Sequence, residues 1–233
     1  MRLDKYIAKA INVTRKEAKE LIREGRVKVG GKVVKTPEYK VRQGEKVEVE
    51  GVSVKPKDFV YIMLYKPKGY LSTTEEGAKY PSFLELIKEH FGNRKLFSAG
   101  RLDVDAEGLL LITDDGELAH RVTHPKWKVE KEYVVELDKP FKDLERLKDV
   151  VIEGKSVSLV WAQKLTDNVL KVVLTEGRHH IVKRLFKALG YSVKNLKRTR
   201  IGSIKLDEEM EAGDWRELRS DEIKSLKELV KLI

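Results

Sequence analysis

Apolar residues in this chain come in short runs, and the longest, residues 59–65, is seven residues long. A membrane-spanning helix needs about 20 in succession, so no membrane partner is expected. Such a run, ending at Lys66-Pro67-Lys68-Gly69-Tyr70, reads as a buried strand followed by a turn. Further strand-like runs follow at 109–113, 133–137, 157–161, 170–175 and 201–206. Helical spacing places helices at 82–91, with Phe83, Leu84, Ile87 and Phe91 apolar, at about 181–189, and from Asp221 onward. Strands and helices do not alternate as βαβ units. The expectation for residues 59–233 is an α+β domain on a mostly antiparallel mixed sheet.

The first fifty residues follow a separate pattern. Leu3 and Ile7 share one face of a short helix. Thr14-Arg15-Lys16-Glu17 is a capping box that opens a second helix, with Ala18, Leu21 and Ile22 inward and Gly25 as its stop. Val27-Lys28-Val29-Gly30-Gly31-Lys32-Val33-Val34 reads as two strands around a Gly-Gly turn. Val41 and the alternating Val47-Glu48-Val49-Glu50 complete a small sheet. Pro56 marks a linker, so the expected domains are 1–52, a small α/β unit, and 59–233.

Charge narrows the function. The chain carries 48 Lys and Arg against 38 Asp and Glu, a net +10. Residues 1–50 hold 14 basic against 8 acidic residues, and residues 177–205 hold nine basic residues and no acid. Two basic stretches on a slightly acidic body predict a polyanion held at two places. In the first stretch Arg2, Lys5, Arg15, Lys16, Arg23 and Lys28 lie off the apolar stripes and can face phosphates. Aromatic residues are scarce beside them, so backbone contact to folded RNA is expected rather than stacking on unpaired bases. There is no cysteine, which removes disulfides, thiolate metal sites and cysteine nucleophiles. With no secretory h-region after Met1, a cytoplasmic location is expected. Charged residues make up 37% and Gln occurs only at 43 and 163, a composition that fits a heat-adapted source.

The most informative stretch is Gly100-Arg101-Leu102-Asp103-Val104-Asp105-Ala106-Glu107-Gly108-Leu109-Leu110-Leu111, a carboxylate in a tight loop directly before a buried strand. Such a carboxylate can be a nucleophile, a general base or a metal ligand. The acids, Gly108 and Asp114 half-match a calcium loop, but residues 109–112 are apolar where that loop needs a polar ligand. Asp103 and Asp105 taken alone would be turn formers. His120 and His124 stand four apart but lack the glutamate of a zinc helix, and Pro125 follows at once, so no metal is expected. Trp127, Trp161 and Trp215 are dispersed and are assigned to packing.

Four segments taken together resemble the pseudouridine synthases, most nearly the small-subunit (Rsu-type) rRNA branch. They are Gly100-Arg101-Leu102-Asp103 with Thr113-Asp114-Asp115-Gly116-Glu117-Leu118; Tyr65-Lys66-Pro67-Lys68-Gly69-Tyr70; His120-Arg121-Val122-Thr123-His124-Pro125 with Glu130-Lys131-Glu132-Tyr133; and Glu176-Gly177-Arg178-His179-His180-Ile181-Val182-Lys183-Arg184-Leu185. The N-terminal elements, with Arg2-Leu3-Asp4-Lys5 and Gly25-Arg26-Val27, resemble the S-four-type RNA-binding domain of ribosomal proteins and rRNA-modifying enzymes.

The resemblance implies an isomerase that detaches uracil from C1′ of its ribose, turns it and rejoins it through C5, with no cofactor, metal or nucleotide. It implies Asp103 as the catalytic carboxylate, acting on the base, the sugar carbon or the departing uracil. Lys183 is then its ion-pair partner, and Tyr133 stacks on the target base with a hydroxyl able to relay a proton. Arg101 is placed to contact the RNA or fill the gap left by an extruded nucleotide. Lys66, Arg178 and Arg184 complete the expected RNA contacts. Ile181 stands where the family has glutamine, and Ala106 where it has Thr or Ser. The expected partner is rRNA, met by a monomer. A large-subunit enzyme of the same family, or a non-catalytic RNA-binding assembly factor, are the alternatives.

Overall fold

The computed structural model describes residues 1–11, 13–56, 58–74, 79–92 and 94–233, which fall into two compact units, Met1–Phe59 and Val60–Ile233. In the first, helices α1 (Leu3–Ile11) and α2 (Arg15–Arg23) precede strands β1 (Val27–Val29), β2 (Lys32–Val33), β3 (Val47–Val49) and β4 (Val52–Val54). The strands form one antiparallel sheet ordered β2-β1-β3-β4. The capping box forms: the Glu17 N–H donates to Thr14 Oγ1 at 3.2 Å and the Thr14 N–H donates to Glu17 Oε2 at 2.7 Å. Leu3, Ile7, Ala18 and Ile22 from the helices bury against Val27, Val29, Val47 and Val49. Val41 joins this core from outside the strands. Residues 52–54 pair with β3, so a boundary at 52 would cut a strand.

The second unit contains, in order, β5 (Tyr61–Lys66), α3 (Lys88–Phe91), β6 (Phe97–Ser98), β7 (Glu107–Thr113), α4 (Gly116–Thr123), β8 (Lys131–Leu137), β9 (Val151–Ile152), β10 (Lys155–Ser156), β11 (Leu159–Lys164), β12 (Val169–Leu174), α5 (Ile181–Ala188), β13 (Val193–Ile201), β14 (Ile204–Lys205), β15 (Trp215–Glu217) and α6 (Ser220–Leu229). Its main sheet runs β11-β12-β8-β13-β7-β5-β15, with β14 beside β13 and β6 beside β7. Among the described strand pairs of this sheet only β13–β7 is parallel. This is the mixed, mostly antiparallel sheet expected from the sequence. β5 is buried along its whole length, which explains its uninterrupted apolar run: a central strand has both faces covered. On one face Ile62, Leu64, Leu110 and Ile112 pack with Val135, Leu185 and Phe186. On the other, α4 and α6 bring Leu118, Val122 and Leu226 around Tyr61 and Leu111.

Several elements differ from the sequence expectation. The helix at 82–91 is split into a 3-10 turn, Phe83–Leu86, and α3. The last strand expected at 201–206 is the end of the nine-residue β13, which turns at Gly202 into β14. Its polar stretch Lys194-Asn195 and Lys197-Arg198-Thr199-Arg200 hides the strand pattern. α4 has no counterpart in the sequence expectation; Asp115 caps it by accepting the Leu118 N–H at 3.2 Å. Trp161 lies on the edge strand β11 and is 45% exposed, so it is not a packing residue. No helix among the described residues is long and apolar enough to cross a membrane.

Candidate active site

The loop before β7 is tied down from several directions. The Ser72 hydroxyl accepts the Leu102 N–H at 3.0 Å and donates to the Leu102 carbonyl at 2.8 Å. The Gly69 N–H donates to Val104 O at 2.6 Å, and the Ala106 N–H closes a turn on Asp103 O at 3.1 Å. At the start of β7, Gly108 has φ +108°, and a Cβ there would lie 2.2 Å from the Arg198 carbonyl oxygen. Only glycine lets β7 and β13 approach so closely in this conformation.

Lys66 shapes the turn that reaches this loop. Its Nζ donates to Pro67 O at 2.8 Å and Tyr70 O at 2.9 Å, and the residue is fully buried. Burial and the Arg198 charge push its pKa down to about 8, against the opposing pull of Asp103, Asp105 and Glu107. The expectation that Lys66 touches RNA is therefore corrected: its ammonium holds two carbonyls inside the fold, out of reach of a phosphate.

Asp103 is four-fifths buried. Its Oδ2 lies 3.1 Å from Lys183 Nζ and its Oδ1 3.3 Å from His180 Nε2. Lys183 comes from the first turn of α5, where Ile181, Val182, Leu185 and Phe186 face the core and leave position 183 toward the loop. It also hydrogen-bonds Asp105. Burial works against charge on both partners, but this contact prevails. It holds the Lys183 ammonium above the usual lysine range and the Asp105 carboxyl below the usual carboxylate range. His180 precedes the helix in a left-handed conformation, φ 52°. The approach of His180 to Asp103 comes from that backbone turn, which no residue pattern announces.

Tyr133, on β8, stands in register opposite Arg198 on β13. Both border a pocket of about 380 Å³ whose wall also includes Arg101, Asp103, Lys131 and His180. Burial and the Arg198 charge push the Lys131 pKa down to about 8. Ile181 is buried in the core cluster and borders the same pocket, so packing replaces the polar contact a glutamine would offer. Ala106 is fully buried. The sequence singles out neither Lys131 nor Arg198: the first appears only within a family-like segment, the second only as one cation of the basic stretch 177–205.

Arg101 is exposed at the pocket edge. Arg178 is turned inward: it pairs with Glu176 and donates to Ile152 O at 2.8 Å, joining β9 to the segment before α5. Arg184 pairs with Glu153 at 2.7 Å, and Arg200 with Glu130 at 2.9 Å. Four cations of the stretch that is free of acids in sequence, Arg178, Lys183, Arg184 and Arg200, thus pair with acids in space. Lys187, Lys194 and Lys205 of that stretch remain exposed. In the first unit Arg2 and Arg15 both reach the buried Asp4 carboxylate at 3.0 Å, Lys5 is half-buried, and Lys16, Arg23 and Lys28 are exposed. The His124 ring accepts the Lys126 N–H, and no cluster able to hold a metal occurs among the described residues.

Comparison with known proteins identifies the family. The profile of the RNA pseudouridylate synthase family matches residues 60–188, and that of the S4 domain matches residues 1–47. An RNA pseudouridine synthase of Aquifex aeolicus, itself uncharacterized, is 70% identical over 99% of this chain and 98% of its own. The ribosomal small subunit pseudouridine synthase A of Vibrio vulnificus is 40% identical over 97% of this chain and 99% of its own. The ribosomal large subunit pseudouridine synthase B of Bacillus subtilis is 37% identical over 98% and 96%. A crystal structure of a pseudouridylate synthase superposes with a TM-score of 0.69 at 36% identity, covering 97% of this chain and 99% of the other.

Proposed function

Because this chain belongs to the RNA pseudouridylate synthase family, isomerases that convert uridine to pseudouridine in RNA, we propose that it modifies one specific uridine of small-subunit (16S) rRNA with Asp103 as the catalytic carboxylate. The observation that carries this reading is the placement of Asp103: a carboxylate on a tethered loop, paired with Lys183 at 3.1 Å, at the wall of a pocket that Tyr133 also lines. The reaction breaks the N1–C1′ bond and forms C5–C1′; N1 gains a proton and C5 loses one. Each atom of the substrate is retained, so an ionised carboxylate, an aromatic wall and fixed cations meet its demands.

In this reading the Lys183 pair orients Asp103 toward the reacting centre, and Tyr133 stacks on the extruded uracil. Arg101, exposed at the pocket edge, meets the RNA backbone. Lys16, Arg23 and Lys28 of the N-terminal unit give phosphate contacts, with Arg2, Lys5 and Arg15 beside them. Arg178 and Arg184 act through the internal pairs they make. The small-subunit assignment is supported by the resemblance at Tyr70, at His120-Arg121-Val122-Thr123 and at Lys183, and by the relative from Vibrio vulnificus.

The test incubates the wild type and Asp103→Asn with unmodified 16S and 23S rRNA and maps pseudouridine by chemical labelling. One new pseudouridine in 16S rRNA, absent with Asp103→Asn, is the expected result. Product in 23S rRNA alone would move the enzyme to the large subunit. RNA binding without product on either rRNA would reduce the chain to a binding factor.

A further inference from the structure

Arg198 presents the most unusual polar group in the molecule. It is 1% exposed, yet it borders the pocket between Asp103 and Tyr133. Its Nε donates to Leu109 O at 2.8 Å and its Nη1 to Arg101 O at 3.0 Å. Its Nη2 is the buried side-chain polar atom that finds no partner among the described residues. A buried donor left without an acceptor is costly, and an acceptor brought into the pocket that Arg198 borders would relieve that cost.

The sheet explains how the donor arrives there. Arg198 is registered opposite Tyr133 on one side and Gly108 on the other. Directly opposed residues of paired strands share a face, and Lys131, two residues before Tyr133, shares it too. Lys131, Tyr133 and Arg198 therefore wall the pocket together. The Lys131 ammonium donates to Val129 O at 3.0 Å and adds a second buried cation, so that wall is electropositive.

We propose that Arg198, with Lys131 beside it, holds an exocyclic oxygen of the uracil ring while the base is detached from the ribose. This rests on the pocket being the uridine site proposed above. When N1–C1′ breaks, the bonding electron pair leaves with the base, and the charge spreads from N1 onto O2 and O4. Turning the ring about its N3–C6 axis exchanges N1 with C5 and, in the same motion, O2 with O4. A fixed donor at one carbonyl position therefore meets an equivalent oxygen before and after the turn. The new C5–C1′ bond then forms, C5 loses its proton and N1 takes one up. A charge-assisted bond from a guanidinium favours the base when it is negatively charged, which is when it must not escape.

The probe is the free base. Wild type, Arg198→Lys and Lys131→Met are titrated with uracil and with 5-fluorouracil, whose ring gives up its proton more readily, at equal pH, with thermal melting to check folding. The wild type is expected to bind 5-fluorouracil about tenfold more tightly, the scale of one charge-assisted hydrogen bond. Arg198→Lys keeps a cation but loses the forked donor, so the ratio should fall toward one. Lys131→Met, which leaves the Arg198 tethers to Leu109 and Arg101 intact, should lower it about threefold, and it keeps the test open should Arg198→Lys not fold. In turnover, Arg198→Lys should lower kcat while KM for RNA holds. Wild type binding neither base, or binding both equally, overturns the inference, as does a ratio that survives the substitutions. Absence of base selectivity in the wild type, with Asp103-dependent turnover intact, sinks this inference alone; turnover that ignores Asp103 sinks the reading beneath it.

Discussion

At the scale of single residues, one lysine shared between two acids sets the geometry of the site. Lys183 reaches Asp103 and Asp105 together, so its removal leaves two carboxylates on one loop without the cation they share. Lys183→Met is expected to lower single-turnover pseudouridine formation by about 10²–10³-fold with little change in RNA affinity, the effect of deleting one preorganised electrostatic partner. Lys183→Arg should recover part of the rate, since charge is kept and geometry altered. A Lys183→Met enzyme working at wild-type rate would remove the pair from the mechanism. Asp103, Tyr133 and Lys183 are legible because each lies in a local run of residues that a family shares. His180 and Arg198 are not. Their importance comes from a left-handed turn and from a cross-strand neighbour, neither of which is a residue pattern.

At the scale of elements, the parallel pairing of β7 with β13 joins the reacting loop to the buried arginine. Gly108 makes that contact possible. Gly108→Ala would combine an unfavourable positive φ with a Cβ driven into the Arg198 backbone, and a loss of at least ~3 kcal/mol is expected. Chemical denaturation of the purified variant measures it; a midpoint within experimental scatter of wild type would mean the strands can separate at no cost. β5 and the capping box are readable from sequence because an apolar run and a side-chain cap are local features. β13 is displaced in the sequence reading because its outward positions and its buried Arg198 are alike polar, so alternation is invisible. The helix at 82–91 breaks because Ile87 leaves helical geometry, at φ −129°, between the two short turns.

At the scale of the whole molecule, two properties follow from where charge sits. Lys16, Arg23 and Lys28 are exposed on the N-terminal unit, so replacing all three by Ala should make the salt dependence of rRNA binding shallower, by about one in slope for each phosphate that no longer meets a cation. An unchanged slope would place the RNA on another surface. Lys66 and Lys131 both titrate at about 8 in the folded protein, against 10.5 for an ordinary lysine. Between those values the unfolded chain binds more protons than the folded one, so stability contributed by these sites rises with pH across that window. Melting at pH 7.5 and pH 10 should show wild type gaining relative to Lys131→Met; parallel shifts would contradict the buried, unfavourably charged state. By itself the sequence determined helix α2 from its capping box, most strands and the mixed-sheet class, because backbone preference and periodic burial are written in neighbouring residues; the residues proposed for the site were legible only through the family resemblance. Only the tertiary structure decided which charges meet water. The acid-free run 177–205 reads as a basic face, yet Arg178, Lys183, Arg184 and Arg200 pair with acids, and Arg198 is buried 97 residues away in sequence from the loop carbonyl it holds. Coulomb attraction and desolvation act through space, and the distances that govern them exist only once strands are paired and loops are docked.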